Sequence, residues 1–69
     1  MKNKIKDYRK ELDMSCNDLA GMVGWNQQRV SRYELGDRDP GLKECRLIVW
    51  AFNTLGLAVS VDDVFPVDD

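Results

Sequence analysis

The chain has 69 residues, 43% hydrophobic and 32% charged, with a formal net charge of −2 and no histidine. A domain of that length buries only about 60% of its unfolded surface, so one domain (residues 1–69) that gains stability by self-association is expected. Without histidine, Ser-His-Asp and Cys-His catalysis and His-containing zinc sites are excluded, and neither an enzyme nor a cofactor or metal site is expected from two cysteines and scattered acids.

Ile5, Tyr8 and Leu12 recur at helical spacing, with Lys4, Lys6, Asp7, Lys10 and Glu11 on the solvated face, which predicts a first helix over residues 2–12. Ser15 is a good N-cap, and Asp18 three residues later supplies a short-armed capping-box acid. The second helix then runs from Cys16 to Val23, turning Leu19, Ala20 and Val23 inward, and Gly24 ends it. Only Trp25 and Asn26 separate that glycine from the next helical pattern. Asn26 is again a favourable N-cap, and the third helix spans Gln27 to Leu35 before Gly36. Asp37-Arg38-Asp39-Pro40-Gly41 reads as a loop.

A fourth helix starts near Leu42 and ends at Gly56. Leu42, Cys45, Ile48, Val49, Phe52 and Leu55 share one broad apolar face, while Leu47, Trp50 and Ala51 form a second sector that a small core would not require. Leu57-Ala58-Val59-Ser60-Val61 is β-branched and partly alternating, which is compatible with a short C-terminal strand, and the run is also short enough to be irregular. Val64, Phe65, Pro66 and Val67 precede two terminal acids.

No apolar run reaches the ~20 residues of a membrane span, and the N-terminal MKNKIKDYRK has no signal-peptide core, so a cytoplasmic location with no membrane partner is expected. Cys16 and Cys45 form no CxxC pair and read as free thiols. Cys16, close to a helix N-terminus, is placed to have a depressed thiol pKa. The charge is unevenly spread. Residues 1–56 hold all ten Lys/Arg against eight Asp/Glu, a local excess of two positive charges, whereas Asp62, Asp63, Asp68 and Asp69 make the tail acidic. Affinity for phosphate depends on local cations rather than whole-chain charge, so nucleic acid stays open as a partner, with the tail turned away from it.

Helix, tight glycine turn, helix over about residues 15–36 is the helix-turn-helix plan, in which the second helix lies in the major groove of DNA. On the third helix Val30 and Tyr33 turn inward and Glu34 lies at the margin. Gln28, Ser31, Arg32 and Leu35 cluster outward, flanked by Gln27. A Gln amide pairs with the N6/N7 edge of adenine and Arg forks onto O6/N7 of guanine, which makes Gln27, Gln28, Ser31 and Arg32 candidate base readers. Asn26 and the amides at the helix N-terminus are placed for phosphate. Arg29 and Arg38 are divided between phosphate contact and solvated or salt-bridged roles, as is Lys43, for which a solvated role is favoured. Leu47 with Trp50 reads as a dimer contact, unless the C-terminal segment folds back over them.

From Ile5 to Leu42 the chain resembles the Cro/C1-type (XRE family) helix-turn-helix proteins, which include lambdoid phage repressors. Ser15, Leu19-Ala20, Val23-Gly24, Val30-Ser31-Arg32-Tyr33-Glu34, Gly36 and Pro40 carry the likeness. It implies an all-α, lambda-repressor-like bundle of four to five helices. It also implies an ion pair between Arg9 and Glu34 that ties the first helix to the recognition helix. Gln27-Gln28 resembles the base-reading glutamines of some phage repressors. Cys16 departs from the family's phosphate-contacting Gln, Trp25 from a smaller aliphatic, and Gly41 from a Ser or Thr cap. Val61-Asp62-Asp63-Val64-Phe65 resembles the family's usual fifth helix. Leu55 to Val61, in contrast, looks like the helix-then-strand ending of HipB-type antitoxins, whose strand pairs with the dimer mate. The expected function is a dimeric repressor on palindromic double-stranded operator DNA. The alternative is an antitoxin that binds a toxin protein and represses its own operon. In either case residues 47–69 would dimerise, through Leu47, Trp50, Val59 and Val61.

Overall fold

Ser15, Gly24, Asn26, Gly36 and Gly41 become helix boundaries in the computed structural model, which describes residues 2–67, whereas the fourth helix ends at Thr54, two residues before the expected Gly56. The helices are α1 (Ile5–Glu11), α2 (Cys16–Val23), α3 (Gln27–Leu35), α4 (Leu42–Thr54) and α5 (Val61–Val64). Ser15 starts α2 with a complete capping box, its hydroxyl accepting from the Asp18 amide at 3.0 Å while its own amide donates to Asp18 Oδ2 at 2.9 Å. Gly24 ends α2 at φ +79°, a left-handed conformation that costs glycine nothing and any other residue roughly 1–2 kcal/mol.

Helix α1 begins three residues later than the apolar spacing predicts. The chain before it is committed to tertiary bonds: the Asn3 side-chain amide donates to the Tyr33 carbonyl at 2.7 Å, and the Lys4 amide donates to the Val64 carbonyl at 2.8 Å. Asn3 Oδ1 then accepts from the first helical amide, that of Ile5, at 3.2 Å.

Ile5 from α1, Leu19 and Ala20 from α2, Val30 and Tyr33 from α3, the inner face of α4, and Val64 and Phe65 form one apolar cluster. Fully burying a side chain such as Ile48 or Phe52 stabilises the fold by roughly 1.5–3 kcal/mol. Tyr8 leans on Phe52 with ring centroids 5.9 Å apart. On α4 the division of faces differs from the expected one. Ala51 lies fully in the core, whereas Leu42 and Leu55, placed on the apolar face by periodicity, are 62% and 43% exposed. They sit at the two ends of the helix, where no neighbouring element covers them.

The expected C-terminal strand is absent, and among the described residues there is no strand. The amides a strand would have offered are already used. Leu57 donates to the Phe52 carbonyl at 3.0 Å and Val59 to the Asn53 side chain at 3.1 Å, just after Gly56 turns the chain at φ +102°. Ser60 and Asp63 then form a second capping box, and Val61 enters α5 instead of a strand. That single turn carries Val64 and Phe65 into the core. The HipB-like ribbon therefore has no counterpart in this segment. Of the acidic tail, Asp68 and Asp69 lie outside the described residues.

Candidate nucleic-acid interface

The turn between α2 and α3 occupies Gly24, Trp25 and Asn26. The Trp25 amide folds back onto the Ala20 carbonyl at 2.9 Å, and the Asn26 side chain accepts from the Arg29 amide at 2.9 Å, capping α3. Asn26, expected at phosphate, thus spends its side-chain oxygen on the cap. From this start Val30 and Tyr33 point into the core, at 0% and 2% exposure. The opposite side presents Gln27, Gln28, Arg32 and Leu35 to solvent, with Ser31 half-buried beside them. All four expected base readers therefore stand along the uncovered part of one helix, whose N-terminal end carries the positive pole of the helix dipole.

The back of α3 is held by directional bonds. Arg9 forks onto Glu34, with Nε to Oε2 at 2.9 Å and Nη2 to Oε1 at 3.1 Å, and its third arm donates to the Met14 carbonyl at 2.9 Å. Both side chains are largely shielded from water, 13% and 8% exposed. The Arg9 guanidinium is held above its ordinary pKa chiefly by the Glu34 hydrogen bond, against the opposing effect of burial. The pair expected from family resemblance is thus formed.

Cys16 adds a partner that spacing did not reveal: its thiol donates to Glu34 Oε2 at 3.3 Å. Burial first, then the carboxylate beside it, push the Cys16 thiol above its ordinary pKa. This reverses the expected depression. The negative charge of Glu34 and the loss of solvent outweigh the helix N-terminus, so the thiol stays protonated and acts as a donor. Cys45 is raised too, mainly by burial.

Arg29 is engaged on the inner side. Its guanidinium carbon lies 4.4 Å from the Trp25 ring centroid, its Nε donates to the Tyr33 hydroxyl at 3.0 Å, and its Nη2 is 3.7 Å from Glu44 Oε1. Trp25 meets Tyr33 edge-on at 5.6 Å. The cluster joins the turn, α3 and the start of α4. Asn3, unremarkable in the sequence, binds the Tyr33 carbonyl across thirty positions of chain. No local pattern signals such a contact.

The remaining expected residues are dispersed. Arg38 and Lys43 are exposed on the loop after α3 and on the first turn of α4. Leu47 is half-buried and Trp50 is 52% exposed. Val59 and Val61 are half-buried against the chain's own core. No cluster of His, Cys, Asp or Glu suited to a metal occurs among the described residues, and no helix there is long and apolar enough to cross a membrane.

Comparison with known proteins agrees with this geometry. A family model described as helix-turn-helix matches residues 5–57. A protein of Methanocaldococcus jannaschii named as an uncharacterized HTH-type transcriptional regulator is 35% identical over 69 residues, which span this whole chain and 97% of that protein. One of Archaeoglobus fulgidus with the same description is 29% identical, over the whole chain and 90% of its own length. With three-quarters of its residues inside the matched region and the turn, caps and anchored third helix all in place, the chain belongs to the Cro/C1-type (XRE) helix-turn-helix family.

Proposed function

We propose that the protein is a sequence-specific double-stranded DNA-binding transcriptional regulator, a repressor that acts as a homodimer on a palindromic operator. The observation that carries this reading is the outward face of α3: Gln27, Gln28 and Arg32 exposed beside Ser31, on a helix fixed from behind by Arg9–Glu34 and by Asn3. Rigid backing of this kind lets a few side chains hold base-edge geometry. In this reading Gln27 and Gln28 pair with adenine edges, Arg32 with guanine, and Ser31 with either. Asn26, through its backbone, and Arg38 and Lys43, through their side chains, meet phosphate. Arg29 reaches phosphate only by leaving Glu44.

The family relatives named as transcriptional regulators support the regulatory role. Dimerisation is assigned to residues 47–69. Leu47 and Trp50 are the anchors, with Val59 and Val61 lending their exposed edges, so that two recognition helices enter successive major grooves about 34 Å apart. The site of action is the cytoplasm, with no cofactor. The toxin-binding alternative rested on a strand after Leu55 and on the acidic tail; the strand segment is a loop and a helical turn instead, and acidic residues alone do not distinguish a toxin-binding tail from a solvated one.

The test is a gel shift on the DNA upstream of the protein's own gene, repeated across salt concentrations. Affinity should fall steeply with salt, and Gln28→Ala and Arg32→Ala should each cost about tenfold on the operator, Gln28→Ala leaving non-specific binding unchanged and Arg32→Ala lowering it by much less than tenfold. Both variants binding the operator as well as the parent would overturn the assignment of the reading face. Trp50→Ala should shift the sedimentation profile from dimer to monomer.

A further inference from the structure

Leu35 has no place in the reading above. It is the last residue of α3, 72% exposed, and the most exposed large apolar side chain of that helix. Seven residues after Gln28, it returns to within about 20° of the same direction and lies about 10 Å further along the axis. It therefore stands near the midline of the outward face, next to Ser31 and Arg32 in projection, on a face otherwise made of hydrogen-bonding side chains.

A leucine held in water there gains nothing from the fold, since the core takes Val30 and Tyr33 on the other side. When a partner covers the face, the side chain is stabilised if that surface offers an apolar group. Base edges in the major groove display donors and acceptors at every pair, and a single apolar group, the C5 methyl of thymine. Removing both from water is worth several-fold in affinity. The separation from Gln28 places this contact further along the groove than the base that Gln28 reads.

We propose that Leu35 is a specificity residue that packs against the 5-methyl group of one thymine in each half-site. This rests on the DNA-binding reading of α3, and the experiment separates the two. The full chain is first used to select an operator from random duplexes. Each thymine of that operator is then replaced by deoxyuridine, which removes the methyl and preserves every hydrogen bond.

One thymine per half-site, at a position other than the one sensitive to Gln28→Ala, should lose about fourfold in affinity when changed to uracil. Leu35→Ala should weaken binding to the thymine operator by a similar factor and bind thymine and uracil operators equally. Leu35→Asn, close in size but polar, should behave like Leu35→Ala. Neither should alter the melting temperature, because the side chain is exposed. If the parent is indifferent to every thymine-to-uracil change, or if Leu35→Ala still discriminates or weakens both operators alike, the role of Leu35 is overturned while the DNA-binding reading stands. If the parent selects no sequence at all, that reading falls and takes the inference with it.

Discussion

The two ends of this chain use the same opening device and then diverge. Ser15 with Asp18 and Ser60 with Asp63 build matching capping boxes, one for α2 and one for α5. Behind the first box the chain is fixed by directional bonds: the Arg9 fork, the Cys16 thiol, the Asn3 amide and the Arg29 cluster all converge on α3 or its turn. Behind the second, four residues of helix are fixed by the burial of Val64 and Phe65 and by the Lys4–Val64 backbone hydrogen bond, with no side-chain fork of the kind that holds α3 among the described residues. A helix that must point its side chains at a ligand needs bonds that resist rotation. One that only seals a core needs apolar area, which does not prescribe an angle.

The comparison can be broken most directly at Glu34. Glu34→Ala leaves Arg9 shielded and unpaired, and breaking such a buried pair costs on the order of 3 kcal/mol. Urea denaturation should show that loss together with weaker operator binding, and a loss under about 1 kcal/mol would mean the polar ties do not hold α3. Val64→Ala should cost about 2 kcal/mol through the cavity it opens. Operator affinity measured well below the unfolding midpoint should nevertheless be unchanged, because Val64 does not orient the reading face.

The two caps offer a finer cut. Ser15→Ala should cost about 1 kcal/mol, and Ser60→Ala less, since a four-residue helix has little helical stability to lose. Equal losses would show that the ends are built alike. The smallest effect is on pH dependence. Asp18 and Asp63 are held below the usual carboxylate pKa, first by the backbone amide of the serine three residues before each and then by its side chain. A depressed folded-state pKa means that the unfolded chain binds more protons, so their contribution is present above the unfolded aspartate value of about 3.9 and is lost as pH falls through the folded value. Asp18→Asn and Asp63→Asn should each lower stability slightly and by a constant amount near neutrality, and flatten the stability–pH profile in that acidic window.

Sequence legibility followed the same divide. Ser15, Gly24, Asn26 and Gly36 act within four residues of their effect, so α2 and α3 were readable to the residue. The Arg9–Glu34 pair came only from family resemblance, because no local rule links positions 25 apart. Cys16–Glu34 and Asn3–Tyr33 were missed for the same reason. The C-terminal strand failed because β-branched spacing at 57–61 is a weak signal against two specific facts: the capping pair Ser60/Asp63 and the amides of Leu57 and Val59 already bound to α4. Leu42 and Leu55 misled for another reason. Periodicity places a residue on a face without saying whether a neighbour reaches that far along the helix.

The placement of Trp25 beneath the Arg29 guanidinium has a practical consequence as well. The chain holds two tryptophans, one stacked in the helix-turn-helix turn and the other, Trp50, half in water on α4. Replacing Trp50 with Phe leaves a single tryptophan, selectively excited at the red edge of the absorption band and seated where the turn would face a duplex. Its emission would then follow whether the guanidinium stays on the ring or is drawn toward phosphate, and the molecule would report its own docking without any attached dye.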